Sequence, residues 1–271
     1  MFLPENIDFA FSEKYILSIR LLPDGFSFSV HQPDDPSVFY YKKAAFGNKM
    51  SYVENIKKLI FDFSFFTQTF RETRVIAVSQ KYTLVPEYFF DKSRAESMFN
   101  FNVQDGNGLV LHQQVPEIEG NVVFDMDTEV HSFLSRNLWN PVFSHHIQSL
   151  LSYFATHHAD FGGKRCYVDF RDKFIDVCCL QSNTLLSANT FAVTDRLDAL
   201  YFITGVWEKL PLQQISDRLY LTGNVNAQKE AVDTLKKLIR YVEILSFSPK
   251  TEIPDAEKPT LPTGLLIQLC E

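Results

Sequence analysis

A chain of 271 residues with 45% hydrophobic and 22% charged side chains has the apolar content of a folded protein, of one large domain or two ordinary ones, and excludes disorder. Its formal charge of −7 argues against a nucleic-acid partner, since a basic face supplies most of that affinity. The 26 phenylalanines against 10 glycines favour thick cores over glycine-rich phosphate loops.

Taken in order, the start Met1-Phe2-Leu3-Pro4-Glu5-Asn6 has no basic region followed by an apolar stretch. No signal peptide is expected, no apolar run approaches the ~20 residues of a membrane-spanning helix, and the expected location is cytoplasmic. Lys14–Leu22 reads as a strand, Pro23-Asp24-Gly25 as a hairpin turn, and Phe26–His31 as an alternating strand. Gln32–Ser37, with two prolines and two aspartates, reads as a loop before a third strand, Val38–Phe46. Over Ser51–Phe66 the period changes: Val53, Ile56, Ile60 and Phe63 lie on one helical face. A strand returns at Arg74–Val78. An insertion follows, from Gln80 to about Asp127, with a helical Glu87–Phe99, a turn at Asp105-Gly106-Asn107-Gly108, and strand candidates Leu109–Val115 and Asn121–Phe124. Thr128–Leu138 is helical, capped by Asp127 or Thr128, and Pro141–Phe143 is extended. His145–His158 is a helix with Ile147, Leu150, Leu151 and Phe154 inward, and Gly162-Gly163 marks a junction.

Beyond it the same order recurs. Arg165–Phe170, Lys173–Gln181 and Thr184–Phe191 are strands joined by short polar turns, so they pair antiparallel. A helix from about Thr194, its cap, to Leu210 buries Leu197, Leu200, Tyr201, Thr204 and Trp207. Then come strand Arg218–Leu221, helix Ala227–Arg240 and extended Val242–Phe247. The tail from 248 to 271 holds Pro249, Pro254, Pro259 and Pro262, the mark of an extended arm, with Leu265–Leu269 docking back as a short helix. Two domains are expected, 1–160 with the insertion and 161–271 with the tail, each a mixed five-stranded sheet flanked by helices.

This α/β duplication, with Arg74–Ser79 leading into Tyr82-Thr83-Leu84-Val85-Pro86 and with Leu219-Tyr220-Leu221-Thr222-Gly223, resembles the core of the actin-like ATPase superfamily (actin, Hsp70, sugar kinases), a ribonuclease H-like fold. It is similar most of all to an uncharacterised domain-of-unknown-function family of Bacteroidetes with that fold. The resemblance implies ATP and magnesium held between two β-hairpins, one per domain, of the form Asp-x-Gly followed by small hydroxyl residues. Here the first hairpin offers Arg20 and Leu21 at the carboxylate position, and Pro23 removes a backbone donor. The second keeps Asp169 but follows it with Phe170 and Arg171 instead of glycine. The adenosine contact, usually a paired glycine at a strand end, reads Thr222-Gly223-Asn224.

Other constellations point to no chemistry. Gly162-Gly163-Lys164-Arg165 precedes a strand, the reverse of a phosphate loop entering a helix. His145, His146, His157 and His158 lack the three- or four-residue spacing of metal ligands on a helix and read as surface or partly buried side chains; no metal site is expected. Asp125, Asp127 and Glu129 read as carboxylates at a helix N-terminus. Cys166, Cys178, Cys179 and Cys270 read as free thiols, and no Gly-x-Ser-x-Gly elbow is present. The expected protein is a degenerate actin-like fold that binds or scaffolds a protein partner without efficient ATP hydrolysis. Its candidate cleft residues are Asp24, Asp169, Arg171, Asp172, Thr222 and Gly223. The rivals are an ATP-dependent kinase or ATPase, with Asp169 or Asp172 on magnesium and Arg171 on phosphate, and a nucleotide or phosphosugar sensor without turnover.

Overall fold

The computed structural model describes residues 7–195, 197–254 and 257–270; the opening Met1–Asn6, read above as lacking a leader, lies outside them. Two compact units emerge: a first that runs to Gln114 and adds Gly120–His146 and Lys250–Ile253, and a second made of Val115–Glu119, Ile147–Pro249 and the chain from Pro254 onward.

In the first unit β1 (Ile16–Leu22), β2 (Gly25–Gln32) and β3 (Asp35–Ala45) form an antiparallel meander. β3 begins inside the expected loop. As an edge strand it tolerates Pro36, which needs no ladder donor, and the Asp35 carboxylate accepts from Ser37 N at 3.1 Å and Ser37 Oγ at 2.7 Å. Helix α1 (Tyr52–Asp62) opens with a capping box: Ser51 Oγ accepts from Glu54 N at 3.2 Å, and Glu54 Oε2 from Ser51 N at 2.8 Å. It stops before Phe63, and a 3-10 turn, Ser64–Thr67, drops Phe65 and Phe66 into the core. β4 (Glu72–Ala77) then lies parallel to β1.

The insertion is a small sheet in the order β5-β7-β6, built from β5 (Tyr82–Pro86), β6 (Leu109–Val115) and β7 (Gly120–Met126). The long helix expected over Glu87–Phe99 is absent. Two 3-10 turns precede a shorter α2 (Ala95–Asn102), because the Asp91 carboxylate accepts from Ser93 N and Ser93 Oγ and holds the chain in a local turn. Phe99 of α2 packs on Val123. Helix α3 (Thr128–Asn137) is capped by Asp127, whose Oδ1 accepts from the backbone of Glu129 and Val130 at 2.9 Å each. β8 (Pro141–His145) pairs parallel with β4 and completes the order β3-β2-β1-β4-β8.

Helix α4 (His146–Thr156) buries Ile147, Leu150, Leu151 and Phe154 completely, as the periodicity predicts. It starts one residue late, since His145 ends β8, and it stops at Thr156, before His158 takes a left-handed φ of 52°. His145 and His146 are buried at 1% and 0% exposure, not surface groups: the His145 ring packs against those of Tyr82 and Phe124.

The second unit repeats the first. β9 (Lys164–Phe170), β10 (Phe174–Gln181) and β11 (Thr184–Ala192) form the meander, α5 (Asp198–Lys209) crosses to β12 (Arg218–Gly223), and α6 (Lys229–Leu238) leads to β13 (Tyr241–Ile244). The order β11-β10-β9-β12-β13 matches the first sheet strand for strand. One face is apolar: Val168, Phe170, Ile175, Val177 and Leu221 pack under Ala199, Ile203 and Trp207 of α5 and Leu235 of α6. Each such side chain contributes roughly 1.5–3 kcal/mol. Of the face expected for α5, Trp207 is buried and Leu200 packs against the core, whereas Leu197 and Tyr201 are 59% and 72% exposed and Ala199 and Ile203 complete the inward stripe. Nor does Thr194 cap it. The Asp198 carboxylate instead accepts from Thr194 N, Thr194 Oγ1 and Asp195 N, a carboxylate favoured in a first turn.

The opposite face carries an aromatic column. Phe154, Tyr167, Tyr220 and His158 stack in sequence, with centroids 4.4, 4.8 and 5.4 Å apart. Cys166 and Cys179 lie in the apolar cluster and Cys178 on the column's side of the sheet, all three buried and free. Cys166 is held well above the usual thiol range by its hydrogen bond with Cys179 and then by burial, and Cys178 by burial first. The tail is not a free arm. Ile253 and Leu261 are buried, and α7 (Thr263–Cys270) buries Thr263, Gly264, Leu265, Ile267 and Leu269.

Candidate functional site

The carboxyl end of β9 places Asp169 opposite Asp176 on β10 and beside Thr222 on β12, so all three side chains share the face of the aromatic column. Asp176 in turn faces Thr190 on β11. Arg171, in the hairpin turn, folds back over its own strand. Its Nε lies 3.0 Å from Asp169 Oδ2 and 2.9 Å from Asp176 Oδ2, with side-chain exposures of 13% for the arginine and 1% and 0% for the aspartates. Thr190 Oγ1 donates to Asp176 Oδ1 at 2.6 Å. Thr263, the first residue of α7, donates to Asp169 Oδ1 at 2.5 Å, and its hydroxyl lies 3.2 Å from Thr222 Oγ1. The C-terminal helix is thereby seated on the strand ends.

One guanidinium between two buried carboxylates leaves one net negative charge, spread over a closed set of donors. Burial would lower the Arg171 pKa, but Asp176 and then Asp169 outweigh it and hold the guanidinium above its ordinary value. Gly223 closes the end of β12 with φ 76°. A Cβ there would lie 2.2 Å from the Phe170 carbonyl oxygen and 2.5 Å from Asp169 Oδ1, so glycine is required.

Of the residues singled out from the sequence, Asp169, Arg171, Thr222 and Gly223 converge here. Asp172 sits exposed at the tip of the same hairpin, and Asp24 is exposed on the β1–β2 turn of the other unit. Asp176, Thr190 and Thr263 were missed. A lone carboxylate inside the apolar run Lys173–Gln181 was a readable signal for Asp176, whereas nothing in the spacing marked Thr263. At the equivalent position of the first unit, Arg20 faces Ser27 across the hairpin and is buried at 2% exposure, with Ser18, Ser29 and His31 on the same face. At the carboxyl ends of β4 and β8, Ser79 Oγ lies 3.2 Å from His145 Nε2. Among the described residues, no group of His, Cys, Asp and Glu could hold a metal ion, and no helix is long and apolar enough to cross a membrane.

With two sheets of identical strand order and this hairpin geometry in hand, comparison with known proteins decides the family. The profile of the family described as "Protein of unknown function (DUF3822)" matches residues 4–242. The chain belongs to the DUF3822 family. This DUF3822 chain is similar to a Bacteroides thetaiotaomicron protein described as having an actin-like ATPase fold and unknown function. The TM-score is 0.84 and the identity 27%, over 98% of this chain and 99% of that one. A second similar structure, in the PilM–PilN type IV pilus biogenesis complex, has a TM-score of 0.58 at 9% identity, covering 94% of this chain and 98% of that one, a likeness of fold alone. No curated protein matches. The DUF3822 chain thus has the actin-like ATPase fold, as the duplicated order of elements implied.

Proposed function

We propose that this DUF3822 protein is a binding or scaffold member of the actin-like fold that does not hydrolyse ATP efficiently, and that its partner is a protein. The observation that carries this reading is the state of Asp169. Both of its oxygens are engaged within the chain, one by Arg171 and the other by Thr263. The residues do not fit a magnesium-bound triphosphate. A carboxylate that serves a hydrated metal must face solvent, and Asp169 is 1% exposed. No glycine follows it in the hairpin, so the backbone N–H groups there are not free to approach phosphate oxygens. In the first unit a cation, Arg20, stands where the second carboxylate would be. The fold itself is compatible with partner binding, since the second similar structure is described as a PilM–PilN type IV pilus biogenesis complex.

Calorimetric titration of the full chain with Mg-ATP, paired with a thermal-shift assay and phosphate release, tests the reading. The expected result is no saturable heat, no rise in melting temperature and no turnover. Turnover that Asp169→Asn abolishes would establish the ATP-dependent enzyme instead, and saturable binding without turnover the sensor.

A further inference from the structure

At the amino ends of β12 and β13, at the other end of the strands from the Asp169 cluster and ~13 Å from it, a cavity of about 400 Å³ opens between Arg218, Tyr220, Arg240, Tyr241 and Glu243. That volume lies in the range of small-molecule pockets. Register brings four of these side chains together, and Arg240 immediately precedes β13. Arg218 pairs with Tyr241 and Tyr220 with Glu243, so these four side chains share the face of the aromatic column. Both guanidinium groups are held in place by rings. Arg218 lies 4.3 Å over Phe161 and donates from Nη1 to the Tyr220 hydroxyl at 3.3 Å, and Arg240 lies 5.3 Å over Tyr241. Among the described residues neither forms an ion pair. Two guanidinium groups thus line one opening on a chain of net charge −7.

We propose that this cavity binds a small organic anion through a carboxylate or phosphate group bridging Arg218 and Arg240, with the exposed ring of Tyr241 against its planar body. Stacking on the rings restrains both arginines before the ligand arrives, so little side-chain freedom is lost on binding. Glu243 opposes the anion and sets the specificity: it penalises bare dianions and favours ligands that present a donor beside the acidic group. The site does not rest on the inactive reading of the hairpin, because it shares no residue with it.

Titration of the full chain with phenyl phosphate and, separately, with benzoate tests the assignment and tells the two acidic groups apart. At least one is expected to bind with Kd below about 1 mM and to weaken about tenfold with either Arg218→Ala or Arg240→Ala, and further as salt rises. Arg240 is exposed, so its variant leaves the fold intact even if Arg218→Ala does not. Glu243→Gln should move the other way and tighten binding several-fold, by roughly the penalty of one opposed charge, a sign that a merely structural role would not produce. No saturable heat from either compound up to about 10 mM, or an unchanged Kd in Arg240→Ala, overturns the proposal.

Discussion

In both units a strand enters a hairpin and pairs with its neighbour at an offset of seven residues: Arg20 with Ser27, Asp169 with Asp176. The backbones correspond, yet the side chains are opposite in kind. In the second unit two carboxylates share one guanidinium and three threonine hydroxyls surround them. In the first, a buried arginine lies among Ser18, Ser27 and Ser29. Hydrophobic period and turn length constrain the sheet order, and neither constrains the charge at the strand ends. A duplicated fold therefore retains its order after the chemistry at equivalent positions has diverged.

The largest expected effect comes from breaking the second cluster. Arg171→Ala removes the cation and leaves Asp169 and Asp176 buried together, which should cost about 3–5 kcal/mol in urea unfolding. Adding Asp169→Asn should restore part of that loss. If the single variant is as stable as the wild type, the cluster is more open to water than its burial implies.

In the first unit the corresponding burden is His31. Burial, then the neighbouring Arg74, push its pKa from 6.5 down to about 4. A depressed folded pKa means that the unfolded chain takes up the proton first as pH falls. Stability is therefore full above 6.5 and is lost between 6.5 and 4, by about 3 kcal/mol at 1.36 kcal/mol per pKa unit. His31→Gln should flatten that part of the stability–pH curve. An equally steep loss in the variant would assign acid sensitivity to other groups.

Gly223→Ala comes next, at about 2–3 kcal/mol, from left-handed strain together with the close approach to Phe170. Denaturant melts of this variant beside Gly205→Ala sharpen the comparison, because a Cβ at Gly205, inside α5, meets nothing within 4 Å and should stabilise the helix slightly.

How much was legible follows from which forces act locally. Meanders with short turns, Asp127 at the start of α3 and the buried stripe of α4 depend on neighbours in sequence and agree with the sequence reading, except that β3 begins inside its expected loop. The face of α5 agrees only in part, at Trp207 and Leu200, because Leu200, Tyr201 and Phe202 are consecutive large residues and the sheet, not the pattern, decides which face is inward. Within the site, Asp169, Arg171, Thr222 and Gly223 are neighbours through strand pairing and could be inferred from hairpin register. Thr263 arrives from 94 residues away, on a helix whose docking the apolar run Leu265–Leu269 implies but whose contact with Asp169 no spacing marks.

The smallest expected effect tests that same contrast between local and tertiary control at the two crossover helices. α1 starts with a reciprocal capping box, Ser51 with Glu54, both within one turn. α5 has Leu197 at its N-cap with no side-chain bond, and Thr194 reaches Asp198 from outside the helix. Ser51→Ala should therefore cost about 1 kcal/mol, the usual value of a lost cap. Thr194→Ala should fall within about 0.5 kcal/mol of the wild type, because the backbone N–H groups of Thr194 and Asp195 still satisfy the Asp198 carboxylate. Equal losses at the two positions would show that the helices begin by the same device, and that the second unit's departure from its twin is confined to the charged strand ends.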